Sequence, residues 1–445
     1  MNGSERPRDG DTLSFPLEMA EGCPRLRVSG HIGFICDYGK GKGCEERKRA
    51  SKNIPLKIDL LWYISLQFIL ALAPFLASCS NNQESKTSPD YAHASWPVFR
   101  GDRGLSGVAD ATLPDAPKLL WSRDTGAEIS SSPAIGLGSV FIASKDGKVY
   151  SLDIRNGNIQ WMFDAKDNIE APPLLLDQTV YIGNLNGEFF ALDARSGKVK
   201  WRAETGGDIM GSANGAIDPE SGKTRVFVGS YDSKMYCFDA DTGELKWTYE
   251  TGSYINGAPA ADGRNIVFGG CDQMLHIVSV SDGSKLGEVN AGSFIAGSAA
   301  LADNRAYAGN YEGKLVCIDI PGRQITWEYE DRESGGEFFS SPAVADNRVY
   351  IGSRDRCLHC VDRETGGLVW KFRTRDKVDS SPVIAGDKVV FGSADGRLYI
   401  VDRQDGKEIW SYETGAPIPG SPAVIDGMAV VGAADGRVYA FGEGK

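Results

Sequence analysis

The chain has 445 residues and a formal net charge of −12, a balance that argues against nucleic acid or an anionic membrane surface as partner. Its length is ample for one large all-β domain. Charge and size do not say which β fold that is.

Residues 1–50 are rich in Gly, Arg and Glu and contain Cys23, Cys36 and Cys44. A secretion signal begins only a few residues before its apolar core. This segment is therefore read as a mis-assigned start or a disordered extension, with translation beginning between Lys48 and Lys57, and its cysteines are not read as a site. Residues 60–78 are nearly continuous apolar sequence ending in Leu76-Ala77-Ser78-Cys79. The run is long enough to span a bilayer as an uncleaved helix, which would be an inner-membrane anchor. The small residues before Cys79 resemble instead the lipobox of bacterial lipoproteins, whose Cys is acylated and becomes the first mature residue. That resemblance implies a signal peptide over 51–78, a lipidated Cys79 with a polar tether over 79–95, and a place outside the cytoplasm. Ser80 after the Cys is similar to the pattern sorted to the periplasmic face of the outer membrane.

From residue 96 to 445 the text repeats. Trp121, Trp161, Trp201, Trp247, Trp327, Trp370 and Trp410 are separated by 40, 40, 46, 80, 43 and 40 residues, and the gap of 80 is two units with Gly287 in the missing Trp register. A period near 40 means stacked modules. Within one unit, Ser131–Ile135, Val140–Ala143, Lys148–Leu152 and Asn158–Trp161 are four short β-branched and aromatic runs with turn residues between them. Asp146-Gly147, Asn186-Gly187, Asp395-Gly396 and Asp435-Gly436 predict two-residue hairpins between the second and third runs. Asp153, Asp193, Asp239, Asp319, Asp362 and Asp402 stand eight residues before each Trp register and are predicted to accept backbone N–H bonds of their own turns.

These units predict an all-β fold, an eight-bladed β-propeller of four-stranded antiparallel blades. Seven units start at Ser131, Ala171, Gly211, Gly257, Gly297, Ser340 and Ser380, while the eighth, at Gly420, lacks its outer strand. The orphan segment Lys118-Leu119-Leu120-Trp121 is predicted to complete it, which removes exposed edges. Each Trp is predicted to fill the wedge to the neighbouring blade, contributing at most about 4–6 kcal/mol. The blade with Gly287 is therefore expected to pack worst.

Ile129, Ile169, Ile209, Ile255, Ile295, Phe338, Val378 and Ile418 precede each unit in a strictly apolar register and read as packing. The registers flanking it vary, and variable polar and aromatic residues at the start of the innermost strands are predicted to ring one mouth of the channel. Glu128, Glu170, Asp208, Glu337 and Asp379 would make that mouth acidic, with Tyr254, Phe294 and Phe339 as apolar anchors. A merely solvated rim is the bland alternative. The connection before Ser340 is three residues longer than the others, so Asp331–Glu337 is expected to project beside the mouth.

Cys237, Cys317 and Cys360 share a small-residue register and read as core. Cys357 and Cys360 are three apart on a strand and point to opposite faces, which argues against a shared metal. Cys271 lies in a turn and is expected to be exposed, the one candidate reactive thiol. Only His276 and His359 lie in the propeller. Neither falls in a recurring acid–base pattern, and His359 shares a register with Tyr150, Phe190, Tyr236 and Tyr399, which reads as packing. Gly222-Lys223-Thr224 reads as part of a lengthened hairpin over residues 217–224 rather than a phosphate loop, because a strand follows it.

The strings from Ala191 to Trp201 and from Cys237 to Trp247 resemble the tryptophan-docking repeat of the pyrroloquinoline quinone (PQQ)-like propellers, and Trp96-Pro97-Val98-Phe99-Arg100-Gly101 resembles an opening common in their secreted members. This superfamily includes quinoprotein dehydrogenases that hold PQQ and calcium in the channel, and cofactor-free interaction propellers such as the BamB-like lipoproteins of outer-membrane protein assembly. Regular blade spacing without insertions, and no adjacent Cys pair, resemble the second group. The resemblance implies a monomeric, lipid-anchored scaffold without cofactor, metal or catalytic residue, whose partner is the β-barrel assembly machinery. The alternatives are a PQQ- and calcium-dependent dehydrogenase and a ligand-sensing propeller of another envelope system.

Overall fold

The computed structural model describes residues 95–444, and the readings made on residues 1–50, 51–78 and the lipid anchor at Cys79 lie outside that range. Among the described residues there is no helix, and hence none long and apolar enough to cross a membrane. Eight sheets form the blades, each with four antiparallel strands, and one of them carries a fifth, parallel strand. Blade 1 consists of Ala134–Gly136, Ser139–Ala143, Lys148–Asp153 and Ile159–Asp164. The innermost strands of blades 2 to 7 are Leu174–Leu176, Asn214–Ile217, Ala260–Ala261, Ala300–Ala302, Ala343–Ala345 and Val383–Ala385. Blade 8 consists of Ala423–Ile425, Met428–Gly432 and Arg437–Gly442, and its fourth strand is Lys118–Asp124, paired antiparallel to the third. The ring is closed by the segment predicted to close it.

The second and third strands are buried almost throughout, while outer strands such as Val199–Glu204 alternate between exposed and buried. Middle strands face neighbouring blades on both sides, so they are continuously apolar. The strictly apolar register is packing, as expected. Ile209 rests on Gly183 at the end of the preceding blade's second strand, where an added Cβ would lie 2.2 Å from it. All eight residues of that register are at most 1 % exposed.

Each Trp docks on the next blade. Trp121, Trp161, Trp201 and Trp327 donate from Nε1 to the carbonyls of Ile154, Ala194, Ala240 and Arg363, each at 2.9 Å. Every ring but that of Trp410 covers a glycine in the turn it reaches. Gly157 has φ +67°, and a Cβ there would stand 2.4 Å from the Trp121 ring, so two independent demands exclude a side chain. The turn aspartates act as predicted: Asp153 accepts from Arg155 N at 2.9 Å and Asp239 from Thr242 N at 3.1 Å. The hairpins differ from expectation. Ser144 to Gly147 form a four-residue connection in which Gly147 N donates to Ser144 O and Ser144 N to Lys148 O. Only the last residue has positive φ, which is why Ser233, Gln273 and Arg356 are tolerated there.

At Gly287, in the blade expected to pack worst, the place of the missing Trp is covered from the next blade. The next blade's turn carries Arg323 where other turns carry glycine, with φ +55°, and its Cδ and Nε lie 2.9 Å from where a Gly287 Cβ would be. The arginine stem covers the place of the missing ring. Gly287→Trp alone is therefore expected to lower the thermal midpoint, whereas with Arg323→Gly it should recover and exceed the wild-type value. Calorimetry on the four proteins of the cycle measures this, and simple additivity would contradict it.

The segment before blade 1 forms a feature the repeat does not announce. Residues 96–112 run around the far end of the channel and meet every blade in turn. The carbonyls of Trp96, Pro97, Ser106 and Gly107 accept from Ile135, Leu175, Val344 and Ile384 N, at 2.7–2.9 Å. Arg103 O accepts from Asn214 Nδ2 and Ala261 N, Gly104 O from Leu301 N, and Thr112 O from Gly427 N. Innermost strands are sheet edges, and this segment supplies the acceptors their N–H groups lack. Val108–Ala109 pairs parallel to Val383–Ala385. Arg100, 1 % exposed, reaches between blades 6 and 7 and donates to the carbonyls of Pro342 at 2.9 Å and Pro382 at 2.5 Å. Burial pulls its guanidinium down to about 9, still cationic at neutral pH.

Candidate functional site: the channel mouth

The two variable registers take different places. Ser130, Glu170, Met210, Asn256, Ala296, Phe339, Asp379 and Pro419, one per blade, line a cavity of about 180 Å³ whose wall also includes Phe99 of the N-terminal segment. Seryl hydroxyls form a deeper ring that ties blade to blade. Ser298, Ser341, Ser381, Ser421 and Ser132 accept from the backbone N–H of Ala258, Ser298, Ser341, Ser381 and Ser421, at 2.8–2.9 Å. Pro172 and Ala258 interrupt the pattern in blades 2 and 4.

The other register, with Glu128, Asp208, Tyr254, Phe294 and Glu337, lies outside this cavity on the rim. Its carbonyls accept from the tips of the second hairpins: Glu128 from Lys145 N, Asp208 from Tyr231 N, Tyr254 from Cys271 N, Phe294 from Tyr311 N and Glu337 from Arg354 N. Of the predicted mouth residues, the structure thus brings Glu170, Phe339 and Asp379 into the channel and places the other five around it. The hairpin tips are the part of the mouth that sequence reasoning missed. The signal was available, because Lys145, Tyr231, Tyr311 and Arg354 occupy the x of a repeated Ser/Asn-x turn and vary like the two registers already singled out.

These tip residues change the electrostatics. Lys145 bridges Glu128 at 3.0 Å and Glu170 at 3.4 Å. Burial works against its charge, but the hydrogen bond to Glu128 and the field of Glu170 outweigh it and leave its pKa raised. Arg354 Nε pairs with Asp379 at 3.0 Å, and Lys377 reaches the same carboxylate at 3.2 Å. In the mouth expected to be acidic, the two carboxylates that line the cavity, Glu170 and Asp379, are thus each paired with a cation. Asp208 differs, its carboxyl pushed up by burial.

The aromatics are gathered on blades 3 to 6. Tyr254 stacks on Tyr231 with centroids 4.9 Å apart, Tyr311 lies 6.0 Å from Phe294 and 4.7 Å from Phe339, and the Arg354 guanidinium sits 3.4 Å above the Phe339 ring. Cys271, between these blades, is 8 % exposed and its Sγ accepts from Asn256 Nδ2 at 3.0 Å, so the expected exposed thiol is buried. The segment Asp331–Glu337 does not project. Asp331 accepts from Lys371 Nζ at 2.6 Å and Ser334 Oγ donates to Asp355 at 2.8 Å, which folds the segment onto blade 6.

The histidines also depart from expectation. Tyr249 O–H meets His276 Nδ1 at 3.1 Å while His276 Nε2 meets Asp272 at 2.9 Å, and Tyr329, His359 and Asp355 repeat this at 2.9 and 3.1 Å. The Asp four residues before the ring recurs, since Asp146, Asp395 and Asp435 accept from Tyr150, Tyr399 and Tyr439. Neither histidine lines the cavity.

The cavity does not fit PQQ with calcium. Its volume is below the roughly 300–1,000 Å³ of small-molecule pockets, and its two carboxylates, on blades 2 and 7, are held by cations from the hairpin tips.

Comparison with known proteins agrees with this architecture. A family model described as outer membrane protein assembly factor BamB matches residues 111–285, 170–338 and 330–443. The chain belongs to that family. No curated protein sequence matches it. Among solved structures, BamB from Moraxella catarrhalis is 24 % identical with a TM-score of 0.63, over 74 % of this chain and 98 % of that one. A computationally designed protein, Ika8, is 19 % identical with a TM-score of 0.64, over 73 % and 100 %. Quinohemoprotein alcohol dehydrogenase from Comamonas testosteroni is 14 % identical with a TM-score of 0.67, over 80 % and 82 %. At these identities each likeness speaks for the fold alone, and the BamB family assignment rests on the family model.

Proposed function

We propose that this chain is a lipid-anchored periplasmic scaffold that holds a protein partner at its open mouth, within outer-membrane β-barrel assembly. The observation that carries the reading is the aromatic arc of Tyr231, Tyr254, Phe294 and Tyr311 on the rim of blades 3 to 6, continued into the channel by Phe339. Rigid aromatics beside neutralised charges are the residue types that anchor protein interfaces. They stand at the positions where the blades differ, while the buried positions repeat. Family membership supports the assembly role, and the lipobox-like Leu76-Ala77-Ser78-Cys79 supports the envelope location.

A quinoprotein dehydrogenase is the competing reading, and titration separates the two. Purified chain titrated with PQQ, with and without calcium, is expected to show no saturable change in the fluorescence of its docked tryptophans. Saturable, calcium-dependent quenching would place the protein among the enzymes.

A further inference from the structure

Blade 6 carries a second polar centre, whose residues do not line the cavity. Cys357 and His359 alternate along one strand and so share a face, Asp355 stands in the hairpin turn that leads into it, and one ligand atom from each lies within 4.8 Å of the other two. All three are buried, His359 completely and Cys357 to 3 % exposure. The Asp and the ring four residues later belong to the repeat, but the residue between them does not. Its register holds Lys148, Glu188, Lys234, Met274, Lys314, Arg397 and Arg437 in the other blades, none of them buried. Blade 6 alone places a thiol there.

The same blade has the longer connection. That segment roofs the centre: Ser334 donates to Asp355 at 2.8 Å, and a Cβ on Gly336 would stand 2.5 Å from Asp355 N. Two independent departures from the repeat, a soft ligand and a cover, meet at one place. Blade 4 has the matching Tyr249, Asp272 and His276, with Met274 in place of the thiol.

We propose that Asp355, Cys357 and His359 form a closed binding site for one zinc-like divalent cation. Tetrahedral zinc holds S, N and O ligands about 3.4–3.6 Å apart, given its bond lengths. His359 Nε2 and Asp355 Oδ2 stand 3.1 Å apart in a direct hydrogen bond, and all three ligand atoms lie within 4.8 Å of one another, so the ion replaces that bond, moves the two atoms slightly apart and draws the thiol inward. Binding removes the Cys357 thiol proton to solvent and forms the S–metal bond. The His359 ring proton moves from Nε2 to Nδ1, and Nδ1–H then donates a hydrogen bond to Tyr329 Oη, 2.9 Å away, whose own hydroxyl hydrogen turns away, which orients the ring. Asp355 stays fixed by Cys357 N, which donates to Oδ1 at 2.8 Å. Ser334 Oγ or a water completes the fourth position. Cys360 lies on the opposite face and takes no part.

Cobalt(II), titrated into the reduced full chain, is the probe. The expected result is one equivalent bound with a thiolate-to-cobalt charge-transfer absorption, displaced by zinc, and a zinc-dependent rise in thermal midpoint. Cys357→Ser and Cys357→Met should lose both signals, the latter importing the residue that blade 4 carries and therefore a fold that exists in this chain. Cys360→Ser should keep them. No charge-transfer absorption in the wild type, or absorption that survives Cys357→Met, overturns the proposal. So does equal loss in Cys360→Ser.

Discussion

Trp121→Ala is expected to destabilise the chain by about 3–5 kcal/mol, more than the outer position of its strand suggests. Trp121 is 8 % exposed, donates to Ile154 O at 2.9 Å and lies on Gly157. Its strand also ties the start of the propeller to its end: Lys118–Asp124 belongs to blade 8, and Arg123 Nε reaches Gly157 O of blade 1 at 2.6 Å. Removing the ring loosens both attachments. Arg437–Gly442 would then be an edge strand, a template for pairing with other chains. Hydrogen exchange should show lost protection in that strand first, and denaturant unfolding a lower midpoint. Unchanged protection there would mean that closure does not depend on this residue.

The second large effect is expected at Arg100. Arg100→Met keeps the apolar stem but withdraws donors from two buried carbonyls, Pro342 O and Pro382 O, and should cost about 2–4 kcal/mol. Lysine is not a substitute, because one ammonium cannot present the planar fork that spans blades 6 and 7. Gly107 has no room for a side chain beside the guanidinium: an added Cβ would lie 2.0 Å from its Nη2. The same variant tests whether residues 96–112 act as one plug. Arg103 is exposed, yet its carbonyl is tied to Asn214 and Ala261. Trypsin is expected to cut after Arg103 in Arg100→Met and to spare it in the wild type. Equal resistance would show that the backbone bonds alone hold the segment.

The repeat made most of the fold legible. The Trp spacing, the turn aspartates and the orphan strand before residue 125 each had a physical reason to recur, so each could be read from a single chain. What escaped occurs once. The plug has no period, and its hydrogen bonds use carbonyls, which carry no residue signature. Arg323 was visible as a break in the glycine register, but its meaning depends on Gly287 being across the blade boundary. At the mouth, the two variable registers were legible and their sorting into channel and rim was not, because that depends on hairpin geometry. A four-residue turn in place of a two-residue one lifts Lys145, Tyr231, Tyr311 and Arg354 to the level of the rim. There they neutralise Glu170 and Asp379 and extend the row begun by Tyr254 and Phe294. The same tertiary context buries Cys271, a turn residue that local reasoning exposes.

The central claim is that the rim of blades 3 to 6 is where a protein partner sits. Site-specific photo-crosslinking in intact envelopes tests it, with the photoreactive residue placed at Tyr254 or Phe294 and, as the contrasting surface, at Met162, 55 % exposed on the outer strand of blade 1. The account predicts adducts with a component of the β-barrel assembly machinery from Tyr254 and Phe294 and none from Met162. Adducts that form equally from Met162, or an absence of adducts from both rim positions, would contradict it.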